Sequence, residues 1–421
     1  MGQWGGEALK IKAFAIPRSI KKRPSYKDPG RKIGSWEVAC TSDKERTLPA
    51  PDTLPSLLLT LTALSGEFPT AQVNRLPGAD SYKAFAVKRL KREKLLHTYY
   101  RDGLRGLRLT GAAKRLLLAQ APDRFLPLLS GDTATNAPKY TIPHRLRLHR
   151  MAEVLVTMHN TGISSFPWEK PAVFQPILPG ADSAIVCPVY YSSREVKEIG
   201  PQAAQIRGSR ATGLLLTEGG IFVVYNTGSG QMKWEYKAEL RLKALLQTEV
   251  CQYRLPKQFQ STGLRALVFG DGMGPLELFM GAGDSKTKNY FVLDGSYEHF
   301  YYLTNDRRGE FSLRLLCDAD LKAALDEILS EDLSEGRPDW SVENDALDGN
   351  GAPVLFAYSC DMPRIRRFDA ALDLHGLMGT LICFDFQLEA LRRVCGPRVR
   401  FQSINFEALE RSVVYPQKEF N

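Results

Sequence analysis

A chain of 421 residues, 43% hydrophobic and 24% charged, has the composition of a folded globular protein and exceeds what one ordinary core fills, so two or three domains are expected. Its net charge of +9 favours a polyanionic partner, because each Lys or Arg that neutralises a phosphate also releases a condensed counterion. The seven cysteines, Cys40, Cys187, Cys251, Cys317, Cys360, Cys383 and Cys395, are odd in number and scattered without a C-x-x-C pair, which argues against a zinc ribbon and against a disulfide framework.

The first apolar stretch, Ala8 to Ile16, is interrupted by Lys10 and Lys12 and followed by Arg18, so no signal peptide is expected. The most hydrophobic run, Leu57 to Leu64, is much shorter than the roughly 20 residues of a membrane helix. A cytoplasmic location without membrane contact is therefore expected. Residues 1–50 are rich in Lys, Arg, Pro and Gly around Lys21-Lys22-Arg23 and lack periodicity, which reads as a flexible basic arm.

From Asp52 the pattern changes. Leu54, Leu57, Leu58, Leu61 and Leu64 share one helical face that ends at Gly66. A second short helix is predicted from Pro69 through Val73 and Leu76, then a turn at Pro77-Gly78-Ala79-Asp80. A third helix from Ser81 carries Phe85, Val87 and Leu90 among Lys83, Lys88, Arg89, Lys91, Arg92 and Lys94. Residues Leu95 to Tyr100 read as a strand that Arg101-Asp102-Gly103 turns back into Leu107-Arg108-Leu109, and a helix from Gly111 to Ala119 closes the unit. Residues 126–190 read as a loop over 130–143, an amphipathic helix through Met151, Val154, Leu155 and Met158, and a Pro-rich linker.

The remainder, 191–421, alternates strands and helices and predicts an α/β mixed-sheet domain. Thr212–Leu216 and Ile221–Tyr225 form a hairpin, with further strands at Leu264–Phe269, Tyr290–Leu293, Phe300–Leu303, Val354–Tyr358, Thr380–Phe384 and Val399–Gln402. Helices are expected at Trp234–Leu246, Leu321–Leu329, Ile365–Leu374 and Leu388–Cys395, and an exposed polar loop at 331–351.

Helices followed by a two-stranded wing over residues 51–125 make a winged helix-turn-helix, whose third helix fits the major groove of double-stranded DNA while the wing reaches the backbone or minor groove. The candidate DNA-binding residues are Lys83, Lys88, Arg89, Lys91, Arg92 and Lys94 on that helix and Tyr99, Arg101, Arg105 and Arg108 on the wing. Arg forks onto phosphate or guanine, and Tyr donates to phosphate. The competing reading is a winged helix used for protein contacts alone, which does not call for cations on both elements.

The segments LKREKLLHTYYRDGLRGLRLTGAAKRLL and HRLRLHRMAEVLVTM, followed by a hairpin and helix, resemble the replication-relaxation family of plasmid and conjugative-element proteins over residues 53–250. The resemblance implies a DNA-binding accessory of plasmid replication, DNA relaxation or conjugative transfer, with a restriction-endonuclease-like second domain. Such nuclease cores carry Pro-Asp-Gly on one strand and Glu-x-Lys on the next, carboxylates that hold Mg²⁺ and activate water. Here Arg210-Ala211-Thr212-Gly213 and Val224-Tyr225-Asn226-Thr227-Gly228 stand in those places, without a carboxylate. Glu235-Tyr236-Lys237 matches Glu-x-Lys, but at a helix start, where a solvated charged face explains Glu235 and Lys237 better.

The domain therefore reads as nuclease-like without metal chemistry: no catalytic residue is assigned, and no cofactor or metal is expected. Gly270-Asp271-Gly272-Met273-Gly274 lacks the Lys-Ser/Thr of a P-loop and reads as a glycine turn. His144 and His149 are read as phosphate-facing or exposed, and Asp385 as a strand-end polar residue or helix cap. Three functions stay open: an accessory factor whose second domain docks a replication or transfer protein, a Mg²⁺-dependent nuclease, and a transcriptional regulator. A homodimer is compatible with each.

Overall fold

The computed structural model describes residues 47–176, 185–281, 290–291 and 293–414. It is an α/β protein with mixed sheets that separates into two compact units, dividing between Gly162 and Ile163. The basic arm, apart from residues 47–50, lies outside the described residues. No described helix is long and apolar enough to cross a membrane.

In the first unit, Thr53 caps helix α1 (Leu54–Ser65), its hydroxyl accepting from the Ser56 amide at 3.4 Å. Pro55 stands in the first turn, where its missing N–H costs nothing. Leu54, Leu57, Leu58, Leu59, Leu61 and Leu64 are all buried, so α1 is a core helix apolar on most of its circumference. A two-residue strand β1 (Phe68–Pro69) follows. The helix expected next is a 3-10 turn, Thr70–Arg75, a short form suited to a brief connector.

Helix α2 (Asp80–Arg92) leads into strands β2 (Leu96–Arg101) and β3 (Leu104–Leu109). These are antiparallel, and β1 pairs with β3, giving the order β1-β3-β2. Asp102 and Gly103 have φ of +53° and +77°, the two left-handed residues that match a tight two-residue turn to strand twist. Helices α3 (Gly111–Gln120), α4 (Pro122–Leu129) and α5 (Ile142–Asn160) complete the unit. The region expected as a linker thus divides: α5 packs on α1, burying Leu148, Met151, Val154, Leu155 and Met158.

The second unit holds two five-stranded sheets. In the first, β4 (Val189–Ser192), β5 (Ala211–Thr217) and β6 (Gly220–Gly228) are antiparallel, while β6, β7 (Leu264–Gly270) and β8 (Phe300–Thr304) are parallel. Short helices α6 (Ser193–Val196) and α7 (Pro201–Gln205) precede β5. Helix α8 (Tyr236–Thr248), a π-helical turn (Glu249–Arg254) and α9 (Pro256–Phe259) cross from β6 to β7, and α10 (Gly274–Met280) follows β7. The expected strand at Tyr290 is a single bridge to Lys233.

After β8, α11 (Arg307–Cys317) is capped by Asp306, whose carboxylate accepts from the Arg308 and Gly309 amides, and α12 (Ala319–Ser330) follows. The second sheet joins β9 (Ser334–Glu335), β10 (Ala346–Leu347) and β11 (Pro353–Phe356) antiparallel, then β11, β12 (Gly379–Phe384) and β13 (Val399–Ile404) parallel. Helices α13 (Met362–His375) and α14 (Asp385–Val394) make the crossovers, and α15 (Phe406–Val414) follows β13.

Strand alternation serves both faces of this sheet. Leu355, Leu381 and Cys383 enter the core shared with Val223 and Val268 of the first sheet, while Val354, Phe356, Ile382 and Phe384 pack with Phe311, Leu325 and Phe406. Residues 331–351 are not simply an exposed loop: Val342 and Ala346 are buried, and Arg364 binds Glu343 and Asp345 at 2.6 and 2.7 Å.

Candidate nucleic-acid interface

Helix α2 has two faces. Ala86 and Leu90 are buried, while Tyr82 and Phe85 are 38% and 53% exposed. Positions 82, 85, 89 and 92 recur every three or four residues and share the outer face. Lys88, Lys91 and Arg92 are exposed, and Arg89 is held by Glu93 at 2.8 Å across one helical turn. Lys94, also exposed, has a left-handed backbone (φ +55°) where the helix turns into β2. Lys83 faces the other way. It is buried, its ammonium donating to the Asn74 carbonyl at 2.7 Å and to Asp80 at 3.0 Å, so it fastens α2 to the preceding turn.

The hairpin divides similarly. Arg101 and Arg105 are exposed near its tip; Arg101 meets Asp102 at 3.3 Å, and the Arg105 guanidinium lies 5.6 Å from the Tyr100 ring centre. Tyr100 is 64% exposed. Arg108, at the base, is buried. Its Nη2 and Nε donate to Glu67 at 2.6 and 2.9 Å.

Glu67 is the polar centre of this unit. Its carboxylate also accepts from Arg145 Nη2 at 2.6 Å and lies 2.8 Å from His149 Nε2. Arg145 further donates to the carbonyls of Arg101 and Leu104 at 2.8 and 3.0 Å, binding α5 to both strands of the hairpin. The guanidinium carbons of Arg108 and Arg145 stand 3.9 and 4.7 Å from the Tyr99 ring centre, so Tyr99 covers the pair. Gly106 is required beside them, since a Cβ there would lie 2.3 Å from Glu67 Oε1. Burial pushes the Glu67 carboxyl up, but hydrogen bonds from His149, Arg145 and Arg108 outweigh it and hold it at about 2.

Of the residues expected on the DNA side, the structure brings Lys88, Lys91 and Arg92 on α2, Lys94 in the turn after it, and Arg101 and Arg105 on the hairpin to the surface, with Arg89 half-exposed. It turns Lys83 and Arg108 inward and half-buries Tyr99. His149, expected to face phosphate or solvent, is buried on Glu67, while His144 is exposed, its Nδ1 2.6 Å from the Thr141 hydroxyl. Sequence reasoning missed Glu67 and the exposure of Tyr82 and Phe85. A single carboxylate between the leucines of α1 and Phe68 was the available signal, because so buried an acid needs a counter-charge.

In the second unit, Glu235 and Lys237 are exposed at the start of α8. Thr212 lies on β5 and Asn226 on β6; the Thr212 hydroxyl donates to the Val224 carbonyl at 2.9 Å, and Asn226 Oδ1 accepts from the Gly228 amide at 3.0 Å. Among the described residues no cluster of three or more His, Cys, Asp or Glu is placed to hold a metal ion. The turn at Gly270–Gly274 is tied to its neighbours: the Asp271 amide donates to Gly228 at 2.8 Å and the Tyr302 hydroxyl to the Gly272 carbonyl at 2.5 Å. Asp385 accepts from the Phe386 and Phe406 amides at 2.8 and 3.4 Å.

Sequence reasoning also passed over Glu239, which is buried on α8 and accepts from Ser209, the Arg210 amide and Tyr225 at 3.0, 2.6 and 3.0 Å. Burial pushes its carboxyl up, against those hydrogen bonds. Comparison of the chain with protein families, curated proteins and solved structures finds no match.

Proposed function

We propose that the first unit is a winged helix-turn-helix that binds double-stranded DNA, with α2 in the major groove and the β2–β3 hairpin against the backbone. One observation carries this reading: Lys88, Lys91 and Arg92 on α2, Lys94 in the turn that follows it, and Arg101 and Arg105 on the hairpin are all exposed, where a duplex would meet them together. Lys83, Tyr99 and Arg108 then serve the fold, holding helix and hairpin in register rather than touching phosphate. The resemblance over residues 53–250 supports an accessory role in plasmid replication, DNA relaxation or conjugative transfer, with the second unit docking a replication or transfer protein. Binding of the full chain to labelled duplex DNA across a salt series, with Mg²⁺ present and products resolved on a denaturing gel, tests the reading. Salt-sensitive binding with intact DNA is expected. Absence of binding at low salt would leave α2 and the hairpin as a protein-contact surface, and cleavage would return Glu235 to attention.

A further inference from the structure

The outer face of α2 is chemically divided along its length. Its first two turns present Tyr82 and Phe85 with Asp80, the sole charged residue on that stretch besides the inward Lys83. Its last two present Lys88, Arg89, Lys91 and Arg92. A phenylalanine 53% exposed at mid-helix gains nothing from water, and its helix is otherwise amphipathic, with Ala86 and Leu90 fully covered. The neighbouring cations select a polyanion as what covers it, since an apolar protein partner would have to desolvate that charge.

In the major groove the N-terminal residues of a recognition helix approach base edges, while more distant cations reach phosphates. The apolar feature displayed there is the C5-methyl group of thymine, and aromatic and aliphatic side chains read it by contact. We propose that Phe85, flanked by Tyr82 one turn earlier, is a specificity-determining residue that packs on thymine methyl groups, giving the protein a preference for A·T-containing sites. The proposal rests on the DNA-binding reading above and adds to it which half of the helix reads sequence.

The test uses the full chain and a short alternating A·T duplex made once with thymine and once with uracil, which differ at this edge by the methyl alone. Burying one methyl corresponds to about a fourfold tighter Kd, so wild type should prefer the thymine duplex by about fourfold for each methyl covered. Phe85→Ala should reduce that preference towards unity while retaining salt-dependent binding to both duplexes. Phe85→Leu, which keeps an apolar contact, should retain part of the preference. Equal affinity of wild type for the two duplexes, or a thymine preference unchanged in Phe85→Ala, would overturn the assignment to Phe85 and leave DNA binding itself standing. Failure of wild type to bind either duplex at low salt would instead remove the DNA-binding reading on which the proposal rests.

Discussion

Within one small unit the same residue type does opposite work. Arg108 and Arg145 lie buried on Glu67, whereas Arg92 and Arg105 stand exposed on α2 and the hairpin. The buried pair has lost its hydration and depends on a single carboxylate, so removing that partner leaves charge stranded in the core. The exposed residues remain hydrated and contribute little to stability, as is usual for surface charges. A count of cations along the sequence therefore overstates the exposed positive surface and conceals the buried scaffold beside it.

The largest effect expected from this contrast follows removal of the buried counter-charge. Glu67→Gln should destabilise the first unit by about 3–5 kcal/mol, read as faster hydrogen exchange at the amides of α1 and α5, with the second unit's core unaffected. An unchanged exchange pattern would mean that the cluster does not hold the hairpin. A smaller effect tracks pH. The Glu67 carboxyl sits at about 2, against an ordinary value of 4.5, so its contribution is present above pH 4.5 and is lost as pH falls towards 2. That contribution is about 3 kcal/mol, from about 1.4 kcal/mol per pH unit. The stability gap between wild type and Glu67→Gln should therefore narrow across that window, and a gap independent of pH would contradict the assignment. The smallest structural effect belongs to the surface cations: Arg89, Lys91, Arg92 and Arg105 changed together to Ala should leave α1 protection within about 0.5 kcal/mol for each site changed.

The legibility of the sequence follows the same division. Helix α1 was readable from Leu57, Leu58, Leu61 and Leu64, and the hairpin from Asp102-Gly103, because both signals are local. Strands β5, β6, β7, β8, β11, β12 and β13 were readable because buried apolar runs between polar breaks have few alternatives. The Glu67 cluster was not, since its partners Arg108, Arg145 and His149 stand 41, 78 and 82 residues away. Nor was the burial of Lys83, whose stem runs inward while its ammonium finds Asn74 and Asp80. Strands β9 and β10 were hidden in an acidic, glycine-containing stretch, where two-residue pairings leave no period to detect.

The most direct test of the central claim compares wild type with the Arg89/Lys91/Arg92/Arg105→Ala variant on one duplex DNA, plotting log Kd against log salt. Weaker binding to every sequence is expected, with a slope flatter by about 0.9 for each phosphate that the variant no longer neutralises. Equal affinity and equal slope in a folded variant would contradict DNA binding through α2 and the hairpin.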